Sequence, residues 1–257
     1  MCLLAFAWQR STRHRLWLAG NRDEFHGRAA APMQWWSAPR LLAGRDLQAG
    51  GTWLGVGEDG RFAVVTNFRG GATPSGAPSR GELIPAFLGG GLGALEYLRG
   101  LAARGRAYAG FSLLAGDAGS LGYYSNHDPA GPRELGPGVY GLSNGLLDSP
   151  WPKVVRTRET LAQLVAAAPD EPPVESLFDL MRDGTVAPDE QLPDTGVGRA
   201  IERRLSPAFI VGPDYGTRCT TVLAIRADGS FVAAERSFDP DGRATTERSF
   251  ESMAETA

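Results

Sequence analysis

Strand-like sequence at each end of the 257-residue chain encloses two blocks of helical spacing, and this order constrains the fold more than any single motif. Cys2 to Trp8, Arg15 to Ala19, Thr52 to Val56, Arg61 to Thr66, Phe111 to Ala115 and Leu121 to Tyr124 read as strands bounded by turn residues. Gly57-Glu58-Asp59-Gly60 marks a hairpin between TWLGV and RFAVV, because Asp-Gly supplies the positive backbone angles of a tight turn. Leu, Ala and Val recur every three to four residues at Arg80 to Leu88, Leu92 to Arg104, Lys153 to Ala167 and Val174 to Met181, which predicts helices. Near the C-terminus, Ala208 to Val211, Arg218 to Arg226 and Phe231 to Arg236 return to β-rich sequence, with a second hairpin at Asp228-Gly229. Such an order predicts two sheets covered by helices rather than strict βαβ alternation.

The chain is 42% hydrophobic and 21% charged with a formal net charge of -3, so it has no basic footprint for nucleic acid. Residues 1–257 are expected to form one domain with one core. Cys2 and Cys219 cannot build a disulfide framework and have no CxxC spacing, so a reducing, cytoplasmic setting is expected. Leu3 to Trp8 is too short for a membrane helix, and no basic region precedes it, so neither an integral membrane segment nor a signal peptide is expected. Residues 69–79 and 187–197, rich in Gly, Pro, Thr and Asp, read as surface loops near a site or an edge.

Cys2 has two readings of similar weight. It is a small apolar residue opening a core strand, or it becomes the first residue when Met1 is removed. In the second case thiol and free α-amine share one residue, and an amine titrating near ~7.7–8.0 can accept the thiol proton. The run LAGNRDEF, residues 18–25, also divides: four polar residues after a strand read as a turn, or as a site where a rigid strand stops, with Asp23 placed to hold a protonated amine.

The NRDE run, the MC start, GGTWLGV at 50–56, RFAVVTNFR at 61–69, SRGELIPAFL at 79–88 and SNGLLDSPWPKV at 143–154 together resemble the NRDE, or transport-and-Golgi-organisation-2-like, family. The resemblance spans most of the chain. It implies the N-terminal nucleophile (Ntn) hydrolase fold, an α+β four-layer αββα sandwich of two antiparallel sheets between helices. The cysteine-type members it resembles more distantly, penicillin V acylase and bile salt hydrolase, cleave non-peptide amides.

Carried over residue by residue, the resemblance makes Cys2 the nucleophile and Asp23 the contact to its amine. It places Asn67 and Asn144 at the oxyanion, and Arg218 near the thiolate. The types fit the chemistry: a nearby cation favours a thiolate, and asparagine amides can donate to an oxyanion. One departure stands out, since those amidases carry an arginine three residues before the aspartate, where this chain has Gly20. Arg22 and Asp23 would face opposite sides of a regular strand, so both reach Cys2 only through a turn or bulge. Arg22, with Asn21, is assigned to substrate, Arg22 for an anionic group.

If Arg218 faces the site, alternation turns Cys219 away from it as a structural thiol. His14, His26 and His127 form no HExxH or close pair, so no metal is expected. Trp35, Trp36, Trp53, Phe25 and Phe68 flank the site segments and serve either packing or an apolar acyl pocket. The primary expectation is a cofactor-free hydrolase of a small-molecule amide or acyl bond. The alternative is a non-catalytic carrier of haem, lipid or acyl-CoA, with weak support for haem because there is no CxxCH. Oligomeric state is left open.

Overall fold

The structure, a computed structural model, describes residues 2–171 and 174–253. Two antiparallel sheets pack face to face between helices. The first has six strands in the spatial order β10 (Gly138–Leu142), β1 (Cys2–Trp8), β2 (His14–Phe25), β11 (Tyr215–Arg226), β12 (Phe231–Phe238) and β13 (Ala244–Ser252). The second follows chain order: β3 (Ala30–Ser37), β4 (Arg40–Asp46), β5 (Leu54–Val56), β6 (Phe62–Asn67), β7 (Phe111–Gly116), β8 (Leu121–Ser125) and β9 (Arg133–Glu134).

The layers follow from strand alternation. Leu4, Phe6 and Trp8 of β1, with Leu16 and Leu18 of β2, point into the core shared by the two sheets, where they meet Phe62 and Tyr123. Leu3, Ala5, Ala7, Trp17 and Ala19 point the other way, against α3 (Pro152–Ala167) and α4 (Val174–Leu180). On the far side of the second sheet, Val65, Phe111 and Leu113 pack against α1 (Leu83–Leu88) and α2 (Ala94–Ala102). Helix α3 starts with Pro152 at its first position, where a missing N–H costs nothing, and buries Val154, Thr157, Leu161 and Val165 on one stripe. This is the expected αββα arrangement.

The hairpin at 57–60 forms as read, with Gly57 N–H donating to Arg61 O at 2.8 Å and Gly60 at φ 73°. Three expectations are corrected. Residues 208–211 form no strand; the segment is irregular and bonds to β11 through Ile210. NRDE is no turn, because β2 runs unbroken to Phe25, paired with β1 from Cys2↔Arg22 to Trp8↔Leu16 and with β11 on its other side. Strands β4, β10 and β13 carry too much Arg, Glu, Thr or Gly for an alternating signal, and β3 is broken by Pro32 and a register shift between Ala31 and Gln34, so none of the four was anticipated.

Candidate active site

Cys2 opens β1 on the face that looks between the sheets, the face of Leu4 and Phe6, and its backbone partner on β2 is Arg22. A bulge in β11 between Thr217 and Cys219 inserts Arg218 and resets the alternation, so Cys219 is the partner of Arg22 from the other side. Cys2, Arg22 and Cys219 thus form one row across three strands. Gly20 lies one step up the same face, and a Cβ there would fall 2.4 Å from Leu4 Cδ2. An arginine at that position, as the distant amidases carry, would have to displace the Leu4 side chain. Arg22, two residues further along and on the same face, takes the place beside Cys2.

Asp23 faces the helix side, as alternation requires, and borders Cys2 at the strand end. Thr217 Oγ1 donates to its Oδ1 at 2.7 Å, and Ile210 N–H in turn donates to Thr217 Oγ1 at 2.9 Å. Behind it sits a buried charged group that the sequence reading missed. Lys153 of α3 donates from Nζ to Leu205 O at 2.8 Å, and burial lowers its pKa from 10.5 to about 8. Arg69 pairs with Glu202 of α5 (Arg199–Arg204) at 2.5 Å and lies over the Trp151 ring. Burial raises the Asp23 pKa, and Lys153 is the strongest charge opposing that rise.

The second sheet contributes Asn67, the last residue of β6 and a wall of the cleft at Cys2. Val65 N–H donates to Trp53 O, whereas Phe68 N–H donates to Gly110 O on the opposite edge. By alternation the Asn67 N–H leaves on the Val65 side, where β5 begins only at Leu54. The segment after β10 ties the two sheets together at this point: Ser143 Oγ donates to Cys2 O at 2.9 Å, Thr66 Oγ1 to Ser143 O at 2.9 Å, Asn144 Nδ2 to Asn67 O at 2.8 Å, and Arg69 N–H to Asn144 O at 2.7 Å.

Cys2, Arg22, Asp23 and Asn67 line a cleft of about 370 Å³. Its charged residues are Arg22, Arg28 and Arg80 with Asp23, Glu24 and Asp46. The Arg22 guanidinium lies 4.4 Å over the Trp53 ring and 3.7 Å from Asp46. Arg28 holds Asp46 at 2.7 Å and keeps its carboxyl below the usual range. Burial raises the Cys2 thiol pKa; Arg22 opposes that rise, while Asp23 and Glu24 add to it. A larger groove, about 530 Å³, lies at the other end of the first sheet beside His14 and Asp170, but it contains no nucleophile, so its volume is the weaker guide.

Cys2, Asp23, Asn67 and Asn144 are therefore brought together, and Arg22 joins them. Two assignments are corrected. Arg218 sits in the bulge and donates to the carbonyls of Phe25, His26 and Arg28, so it braces the β2–β3 turn rather than the thiol. Asn21 faces the helices, where its amide donates to Met181 O and Ala208 O and its oxygen accepts from Thr220, leaving nothing for a substrate in the cleft. Cys219, expected to turn away, shares the Arg22 face, yet it is buried and its thiol pKa is raised well above normal. Of the aromatics, Trp53 alone lines the cleft; Phe68 stacks on His127, and Phe25 lies on the surface against Tyr215. Among the described residues there is no cluster of metal-ligating side chains, and no helix is long and apolar enough to cross a membrane.

An αββα sandwich with a cysteine at the head of its first strand defines the Ntn hydrolase type of fold. A mutant conjugated bile acid hydrolase from Clostridium perfringens superposes with a TM-score of 0.54 over 98% of this chain and 92% of that one, at 8% identity, a likeness of fold alone. Residues 1–240 match the family described as Transport and Golgi organisation 2, and the chain belongs to that family. It is similar to the Transport and Golgi organization protein 2 homologs of Bos taurus, at 34% identity over 97% of this chain and 99% of that protein, and of Homo sapiens, at 34% over 92% and 93%. The Drosophila melanogaster protein is 26% identical over 94% of this chain and 95% of its own length.

Proposed function

We propose that the protein is an N-terminal-cysteine hydrolase that cleaves a non-peptide linear amide or related acyl bond after removal of Met1. The observation that carries this reading is the position of Cys2, at the first residue of β1, in the wall of a cleft and beside Asp23, Asn67 and Asn144. The α-amine of Cys2 takes the thiol proton, and the sulfur bonds to the substrate carbonyl carbon. The oxyanion is held by the Asn67 N–H and by the Asn144 amide hydrogen not used on Asn67 O. Collapse breaks the C–N bond, the amine leaves with the proton from the α-amine, and water then hydrolyses the thioester. Asp23 orients the amine, and Lys153 opposes the rise that burial imposes on the Asp23 pKa. The setting proposed for this chemistry is the cytoplasm.

The test combines intact mass, Cys2→Ala and a panel of acyl amides. Met1 must be absent from active protein and Cys2→Ala must abolish turnover; retained Met1 in active protein, or unchanged turnover in the variant, sinks the reading.

A second reading, carriage of an acyl compound without turnover, is favoured by the raised Cys2 pKa, which keeps the thiol neutral, and by the transport role in the relatives' names. Haem fits this cleft less well, because Cys2 is the one side chain in its lining suited to bind iron. Titrating acyl-CoA and haem into wild type and Cys2→Ala separates the two readings: a carrier binds in both and turns over neither.

A further inference from the structure

Arg80 was not singled out by the sequence. It lies in the turn of 3-10 helix Arg80–Glu82, capped by Ser79, on the wall of the cleft that holds Cys2. One nitrogen, Nη1, donates to Gly110 O at 3.0 Å, and no carboxylate pairs with the guanidinium among the described residues. Burial lowers its pKa, and the group that most opposes this lowering is Cys2. Arg22, on the opposite wall, is almost fully buried, reaches Asp46 only at 3.7 Å, and has an Nη1 with no hydrogen-bond partner among the described residues.

The carboxylates of the cleft are already engaged. Asp46 accepts from Arg28, Gln48 N–H and Ala49 N–H, and Glu24 accepts from Phe25 N–H and faces Arg28. Asp23, the third acid of the lining, accepts from Thr217 and lies next to the buried Lys153 charge, so among the described residues Arg80 and one arm of Arg22 are the cationic groups of the cleft that no carboxylate bonds. A half-buried cation without an anionic partner is costly, and a ligand that supplies the anion recovers that cost on binding.

We infer that Arg80 and Arg22 form an anion subsite beside Cys2, so that the cleft takes acyl compounds bearing one carboxylate close to the carbonyl that meets the thiol. This rests on Cys2 being the reacting group of the cleft. It also names a substrate class for the hydrolase: N-acyl amino acids rather than neutral N-acyl amines.

A pair of alkylating probes tests the subsite without requiring turnover. Iodoacetate and iodoacetamide differ in one charge and react alike: the Cys2 sulfur bonds to carbon, the C–I bond breaks, iodide leaves with the electron pair, and the thiol proton passes to buffer. Their rate ratio at Cys2, read by peptide mass, cancels any effect on thiolate population, since both consume the same thiolate. Relative to Cys2 in urea-unfolded protein, the folded protein is expected to raise the ratio of iodoacetate to iodoacetamide at least about tenfold, equivalent to about 1.4 kcal/mol. Arg80→Met should return it to within about twofold of the unfolded value, on the scale where 1.4 kcal/mol is tenfold. If Arg80→Met does not fold, wild type provides the test, because the preference should fall as ionic strength rises from about 0.02 to about 0.5 M. A folded-state ratio equal to the unfolded one, a preference indifferent to salt, or an Arg80→Met that slows both reagents equally overturns the inference. The last result would make Arg80 the thiolate's counter-ion. A retained preference with no amide turnover would sink the hydrolase reading and leave the subsite standing.

Discussion

Lys153→Met is expected to make the protein more stable and less active. The lysine is fully buried on the helix side of the first sheet, and its pKa falls from 10.5 to about 8. A drop of that size penalises the charged form by about 3 kcal/mol at neutral pH. Methionine has a similar length and no charge, so the variant escapes the penalty and loses the bond to Leu205 O, worth about 1 kcal/mol. The expected balance at pH 6.5 is a gain of about 2 kcal/mol in unfolding free energy, following from those two magnitudes.

The sign reverses the usual lysine case. The folded state holds the depressed pKa, so above about pH 8 it has shed a proton that the unfolded chain keeps until 10.5, and wild-type stability rises with pH across that window. The advantage of Lys153→Met should therefore shrink to about zero by pH 10, as the linkage relation requires. Urea titrations followed by tryptophan fluorescence at both pH values measure the difference, and acyl-amide turnover is assayed in parallel. Without Lys153 the opposing charge on Asp23 is gone, its carboxyl protonates more readily, and turnover should fall at least about tenfold on the Asp23 role proposed above. Equal destabilisation at both pH values would refute the electrostatic reasoning. A stabilised variant with full activity would remove Lys153 from the site.

Arg218→Ala separates the corrected role of that residue from the one implied by family resemblance. Losing three carbonyl contacts at the β2–β3 turn should lower stability by about 1 kcal/mol, while turnover stays within about threefold of wild type; a thousandfold loss in turnover would restore it to the catalytic centre. Asn144→Ala removes the donor to Asn67 O and one proposed oxyanion donor, so kcat should fall about 10²- to 10³-fold with little change in KM. An unchanged kcat in single-turnover assays would take Asn144 out of the mechanism.

The strand that carries Cys2 and the hairpin at 57–60 were legible because apolar sequence and turn chemistry agree there. Of the two readings of NRDE the turn does not hold, because its four polar residues sit on alternate faces of a continuous strand and meet two different polar environments, which no periodicity in one sequence reveals. Arg218 and Cys219 were exchanged by a single inserted residue. A bulge has no compositional mark in GTRCTT, yet it inverts every alternation argument before it. Lys153, Arg69 and Glu202 were missed because they are far apart in the chain and sit in segments that otherwise read as ordinary helix or loop. The family resemblance supplied Asn67 and Asn144, and their meeting through Ser143, Thr66 and Asn144 depends on two sheets coming together at a point that neither strand pattern encodes.

The unbroken run of β2 through Asn21, Arg22, Asp23 and Glu24 makes the sheet a dividing wall at the end that carries Cys2. Arg22 and Glu24 line the cleft between the sheets, while Asn21 is bonded to the carbonyls of Met181 and Ala208 and Asp23 joins the buried charge of Lys153 to the edge of the cleft. On the proposed function, ligand choice and proton handling are thus written in alternate letters of one four-residue word. Variation in the even-numbered letters can retune what is recognised while the odd-numbered letters keep the nucleophile's machinery unchanged.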